Sequence, residues 1–186
     1  KDFQGDVNAL NSFMDFSPPV IDSQNQMHII MGFQAGTHLN GLITVPSSFN
    51  SNSNYQYYLV KYNLAGVIVG FPILLPLTGS TTFSGGYLNF IYDEPNSRYY
   101  LGGSRNYEGS GNNGSVLSYN GAGITGSGFL LAFSSSTFNE LWRREFATTA
   151  TIGGNFIYGL KKDPLTSDIY ISGKVNKTTG TVTFGT

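Results

Sequence analysis

Short apolar stretches alternate with polar turn clusters along the chain, and each stretch is too brief for a helix. Phe156-Ile157-Tyr158-Gly159-Leu160 and Ile169-Tyr170-Ile171-Ser172-Gly173 are rich in β-formers, and Asp163-Pro164-Leu165-Thr166-Ser167 between them has turn chemistry. The pattern predicts a β-hairpin over 156–173. Leu88-Asn89-Phe90-Ile91-Tyr92, Asp93-Glu94-Pro95-Asn96-Ser97 and Tyr99-Tyr100-Leu101-Gly102-Gly103 repeat it. Asp22-Ser23-Gln24-Asn25-Gln26 followed by His28-Ile29-Ile30-Met31-Gly32 is a weaker copy. Asp22, Asp93 and Asp163 are spaced by 71 and 70 residues, and Gly32, Gly103 and Gly173 by the same intervals.

A second pair of segments obeys this period. Tyr58-Leu59-Val60-Lys61-Tyr62 and Phe129-Leu130-Leu131-Ala132-Phe133 are offset by 71, as are Phe71 and Trp142. Each full repeat of about 70 residues is therefore expected to hold two hairpins, or four strands. The first repeat spans 1–75, with Ser17-Pro18-Pro19 interrupting its first strand, later strands at 27–33, 57–63 and 67–75, and a polar insertion at 34–56. The second, 76–147, carries strands at 87–92, 98–103, 129–134 and 138–146, with an insertion at 104–127. The third, from 148 to 186, supplies only its first hairpin before Thr181-Val182-Thr183-Phe184.

Composition agrees with many short strands joined by tight turns: aromatic residues are 15% and charged residues 11%, with 24 glycines and 7 prolines. This much Tyr, Phe, Ile and Leu argues against disorder. The net charge of −1, with scattered Lys and Arg, gives no footprint for nucleic acid. Without cysteine there are no disulfides or thiolate metal sites. Lys1-Asp2-Phe3-Gln4-Gly5-Asp6 is not an apolar targeting region, so a secretion signal is expected to lie outside this sequence. The longest apolar run, 67–77, is broken by Gly70, Pro72 and Pro76 and falls short of the ~20 residues of a membrane helix, so no membrane insertion is expected.

The run Phe-Ile-Tyr-Gly-Leu-x-x-Asp-Pro-x-Thr-x-Asp-Ile-Tyr-Ile-Ser-Gly at 156–173, with Phe-Leu-Leu-Ala-Phe and a later Leu-Trp at 129–142, resembles the blade repeat of secreted bacterial β-propellers. These are the SBBP-like repeats common in secreted and cell-surface proteins of the Bacteroidota. The resemblance covers 55–176 and, more faintly, 14–33. It implies an all-β chain of four-stranded antiparallel blades, about two and a half of them, forming a partial ring. The insertions depart from that pattern, and a ring needs at least about four blades to remove its sheet edges. The chain is therefore expected to be a fragment of a longer protein, or a subunit whose copies complete the ring. A β-sandwich or jelly roll is the alternative, which accounts for the composition but not for the period.

Chemical motifs are sparse. Gly109-Ser110-Gly111-Asn112-Asn113-Gly114 and Gly121-Ala122-Gly123-Ile124-Thr125-Gly126 fit G-x-G-x-x-G, but neither opens a helix after a strand, as phosphate cradling requires. His28 and His38 have no acidic cluster beside them for zinc, and no G-x-S-x-G or calcium-loop spacing occurs. Asp93 and Glu94 adjoin within a turn, and Glu140 and Glu145 flank Trp142 on an outer strand, so neither pair suits glycosidase chemistry. No cofactor, metal or catalytic set is expected.

Because successive strands alternate direction, both insertions should emerge on one face. The candidate binding residues there are Tyr55, Arg105, Tyr107, Glu108 and Tyr119, tyrosines giving amphipathic contact area with polar residues beside them, as a glycan site would offer. The expected function is a non-enzymatic, secreted or cell-surface module that mediates adhesion to a glycan or protein partner meeting the face of 34–56 and 104–127. Its other partners would be the remaining blades or copies of itself. The alternatives are a structural subunit of an extracellular or particle assembly, including a capsid-like jelly roll, and a fragment of a secreted hydrolase.

Overall fold

The computed structural model describes residues 7–9, 15–50, 54–79, 89–104, 117–126, 128–148, 156–175 and 182–184. In chain order the strands are β1 (Val7–Ala9), β2 (Asp15–Phe16), β3 (Val20–Ile21), β4 (Gln26–Phe33), β5 (Gly36–His38), β6 (Ile43–Val45), β7 (Tyr55–Asn63), β8 (Ile73–Gly79) and β9 (Asn89–Asp93). They continue with β10 (Arg98–Ser104), β11 (Ser118–Tyr119), β12 (Ala122–Gly123), β13 (Gly128–Ser134), β14 (Glu140–Thr148), β15 (Phe156–Lys162), β16 (Ile169–Lys174) and β17 (Val182–Phe184). The fold is all-β and antiparallel, with no helix among the described residues.

The three repeated turns share one device. Asp22 Oδ1 accepts from the backbone N–H groups of Gln24 and Gln26 at 2.9 and 2.8 Å, and Asp163 Oδ1 from Leu165 and Thr166 at 2.7 and 3.2 Å. Asp93 instead accepts from the Asn96 side-chain amide at 3.0 Å. Each turn closes on a non-glycine residue in the left-handed region, Asn25 (φ 59°), Ser97 (φ 50°) and Ser167 (φ 64°), a conformation that short polar side chains tolerate best. The prolines at 18 and 19 split the first strand into β2 and β3, both still paired with β4. Ser17 bridges the gap: its N–H donates to Ile30 O at 2.8 Å, and its hydroxyl accepts from Ile30 N–H at 3.0 Å.

Among the described residues, four open sheets form a layered stack. The order is β1-β5-β6 in the first; β12-β11-β8-β7-β4-β2, with β3 also on β4, in the second; β17-β14-β13-β10-β9 in the third; and the β15-β16 hairpin in the fourth. One apolar core, including Met31, Phe33, Ile43, Val45 and Val60, lies between the first and second sheets. The main core fills the space between the second and third with Ile30, Tyr57, Leu59, Leu77, Tyr99, Leu101, Phe129 and Phe133. The last joins the third sheet to the hairpin through Tyr100, Leu130, Ile157, Leu160 and Ile171. The expected pairings of β15 with β16 and of β13 with β14 are both present.

Both insertions contain strands of their own. Within 34–56, the β5-β6 hairpin buries Leu39, Ile43 and Val45 against the second sheet. Within 104–127, the β11-β12 hairpin extends the edge of that sheet through β8 and buries Leu117, Tyr119 and Ile124. The row Phe33, Gln56, Thr78, Ser118 runs across the sheet, so both insertions leave one end of the stack. At the opposite end the turns meet, and Ser23 N–H and Oγ donate to the Glu94 carboxylate at 2.8 and 2.7 Å.

One strand expectation is corrected. The fourth strand of the first repeat is β8 at 73–79, not 67–75: after an isolated bridge of Ile68 to Tyr62, Gly70 (φ 70°) and Pro72 break the ladder. Phe71 falls in that break and is 82% exposed. Its counterpart Trp142 is half-buried, packs beside Tyr100 at a ring separation of 5.9 Å, and contributes to the core between the third sheet and the hairpin.

Candidate functional site

Tyr55 and Tyr119, expected on a binding face, are interior residues. Tyr55 is 4% exposed and packs beside Tyr57, so it offers a partner no contact area. Tyr119 is fully buried, its ring 5.5 Å from that of Phe133, because alternation along the short β11 strand turns it inward. Burial pushes its phenol well above the ordinary tyrosine value, with the charge of Glu140 adding to the shift. Arg105, Tyr107 and Glu108 lie outside the described residues. The five are not brought together as a site by what is described.

Tyr119 nevertheless builds a site. Its hydroxyl donates to Phe138 O at 2.6 Å, linking the tip of the β11-β12 hairpin to the turn that joins β13 to β14. On the outer side of that link is a cleft of about 340 Å³ lined by Leu74, Leu75, Pro76, Asn120, Thr137, Phe138 and Asn139. That size is at the lower end of the ~300–1,000 Å³ range of small-ligand sites. The floor is β8, where Leu74 is 52% exposed, and one wall is fixed by the Asn120 N–H donating to Pro76 O at 2.7 Å. In the other wall, Phe138 N–H donates to Ser134 O at 3.0 Å.

Asn120 (φ 53°) and Phe138 (φ 58°) both occupy the left-handed region. Asparagine tolerates it, but a bulky aromatic there is a rare strained conformation, of the kind that the surrounding structure must enforce. Here the Tyr119 and Ser134 hydrogen bonds hold Phe138 from either side.

A charged clamp stiffens the hairpin wall. Arg143 meets Glu140 through two bonds of 2.7 and 3.0 Å and donates to Gly123 O at 3.0 Å. Burial works against the charge on Arg143, but Glu140 and Glu145 more than offset it and hold the guanidinium above its ordinary pKa. Glu145 Oε2 accepts from the N–H groups of Thr125 and Gly126 at 2.9 and 2.6 Å. Gly126 is required there, since a Cβ would approach that of Glu145 to 2.7 Å.

Among the described residues, the lining contains no Asp, Glu, His, Lys or Arg. A second polar cluster is closed to solvent. His28, 1% exposed, places Nε2 3.0 Å from Asp22 Oδ2 and Nδ1 2.8 Å from the Tyr99 hydroxyl. Burial pushes the imidazole below its ordinary pKa, against the opposing pull of Asp22. Asp22 itself sits below the usual carboxylate value: burial would raise it, but the N–H groups of Gln26 and Gln24 and the His28 ring outweigh that. This cluster joins the second and third sheets.

Sequence reasoning did not single out Leu74, Asn120, Thr137, Phe138 or Asn139. Asn120-Gly121 and the Ser/Thr/Asn run at 134–139 are ordinary turn signals, and only pairing across sheets makes them neighbours. No protein-family model, curated protein or solved structure matches the chain.

Proposed function

We propose that the chain is a non-enzymatic binding module of a secreted or cell-surface protein, a stack of β-sheets on which an insertion between repeated strands helps to build a ligand site. The observation that carries this reading is the cleft between the β11-β12 hairpin and the 134–139 turn: it is walled by an insertion, fastened by Tyr119 and Arg143, and lined, among the described residues, by apolar and neutral polar groups. Loops made rigid on a scaffold are where binding concentrates.

Within the all-β class, a layered sandwich is favoured over propeller blades for the first two repeats. His28 and Tyr99 are equivalent in the repeat, 71 residues apart, and they touch. Successive blades of a ring would turn equivalent side chains toward successive neighbours, not toward each other. Tyr99 and its equivalent Ile169 do follow the ring-like sense, one facing the second sheet and the other the third.

The test is retention of the purified chain on insoluble polysaccharides and on immobilised extracellular-matrix proteins, with soluble product assayed in parallel. Retention on at least one support without product release is expected. Retention on none would leave the assembly role, and release of soluble product would mean an enzyme.

A further inference from the structure

The ligand of the cleft can be specified by the chemistry of its lining, an inference that rests on the binding-module reading. Leu74 and Pro76 form an apolar floor over the buried Leu75, the half-buried Phe138 borders it, and Thr137, Asn120 and Asn139 bring neutral polar groups to the same space. Asn120 and Asn139 are exposed, and neither side-chain amide has a hydrogen-bond partner among the described residues.

A carboxamide presents a donor and an acceptor side by side, which matches adjacent hydroxyls, each also a donor and an acceptor. An apolar floor beside such groups matches the C–H face of a sugar ring. Among the described lining residues an acidic ligand would find no cation to offset its desolvation, and a basic one no carboxylate. A wholly apolar ligand would strip water from two amides without replacing their hydrogen bonds. We infer that the cleft lined by Leu74, Pro76, Asn120, Phe138 and Asn139 is a subsite for a neutral saccharide unit. The backbone supports the assignment: both left-handed residues of the cleft, Asn120 and Phe138, have their backbones held by hydrogen bonds before any ligand arrives, which lowers the ordering cost of binding.

The experiment is titration of the isotope-labelled chain with four neutral disaccharides, maltose, cellobiose, lactose and N,N′-diacetylchitobiose, and with digalacturonate as the charged control, followed by the side-chain amide resonances of asparagine. At least one neutral disaccharide should shift the Asn120 and Asn139 signals saturably, and digalacturonate should not. Asn120→Gly, which keeps the left-handed backbone, and Asn139→Ala should each weaken that disaccharide by about tenfold with the remaining spectrum unchanged. If no neutral disaccharide shifts these amides, or if the responsive residues lie elsewhere, the assignment is overturned. The module reading falls separately, through loss of retention on every support.

Discussion

His28 shows how a single side chain couples two sheets. It sits on β4, and its ring meets the rings of Tyr92 and Tyr99 from the third sheet at 5.0 and 5.9 Å. The groups acting on it are the hydrogen-bonded Asp22, the cation of Lys61 and the more distant carboxylate of Glu94. With Nε2–H donating to Asp22 and the Tyr99 hydroxyl donating to Nδ1, the neutral ring satisfies both partners. Protonation would turn Nδ1 into a donor and displace the Tyr99 hydroxyl proton inside a closed core. The folded state therefore resists a proton that the unfolded chain accepts near pH 6.5. Because the unfolded state binds more protons in that range, stability falls as pH drops below the unfolded value. The lowered Asp22 acts further down, its contribution being lost as pH falls through its folded pKa, below 3.8. Melting temperature should decline between pH 7.5 and 5.5, and H28Q should flatten that slope; an equal slope in the variant would refute the assignment.

At the scale of elements, the β15-β16 hairpin is attached through an apolar core and, among the described residues, one charged contact. Lys162 Nζ lies 3.2 Å from Asp93 Oδ1, and that carboxylate is also approached by Tyr100 Oη at 3.4 Å. Asp93 is almost fully buried and Lys162 mostly so. Removing the cation leaves a buried carboxylate with neutral partners only, so Lys162→Met should cost roughly 1–3 kcal/mol, less than a fully buried pair because Lys162 retains some solvent contact. Denaturant midpoints measure it, and Asp93→Asn in the same background should recover part of the loss. A double variant no more stable than Lys162→Met alone would contradict the coupling.

For the whole molecule, the order of layers predicts an order of stability. The second and third sheets are covered on both faces, whereas the hairpin packs on one face and leaves Tyr158 and Tyr170 exposed at 41% and 59%. Amide exchange should be slowest in β4, β7, β10 and β13 and faster by orders of magnitude in β15 and β16. Equal protection throughout would mean that the stack opens only as one unit.

The repeated hairpins are legible in the amino-acid sequence alone, because each depends on neighbours in the chain. Asp22, Asp93 and Asp163 bond nearby groups, the residue three or four places on takes the left-handed conformation, and β-formers flank both sides. The all-β class follows from the same local chemistry. The layering and the cleft are decided by tertiary structure, since they depend on which faces meet. Two-residue strands such as β11 and β12 have no periodicity to detect, and become strands only because β8 supplies an edge to pair with. The inward turn of Tyr119 and the outward one of Asn120 are set by that register, and a one-residue slip would exchange them. The Phe138 conformation is held by a tyrosine 19 residues away on another sheet, a contact that no local pattern along the chain encodes.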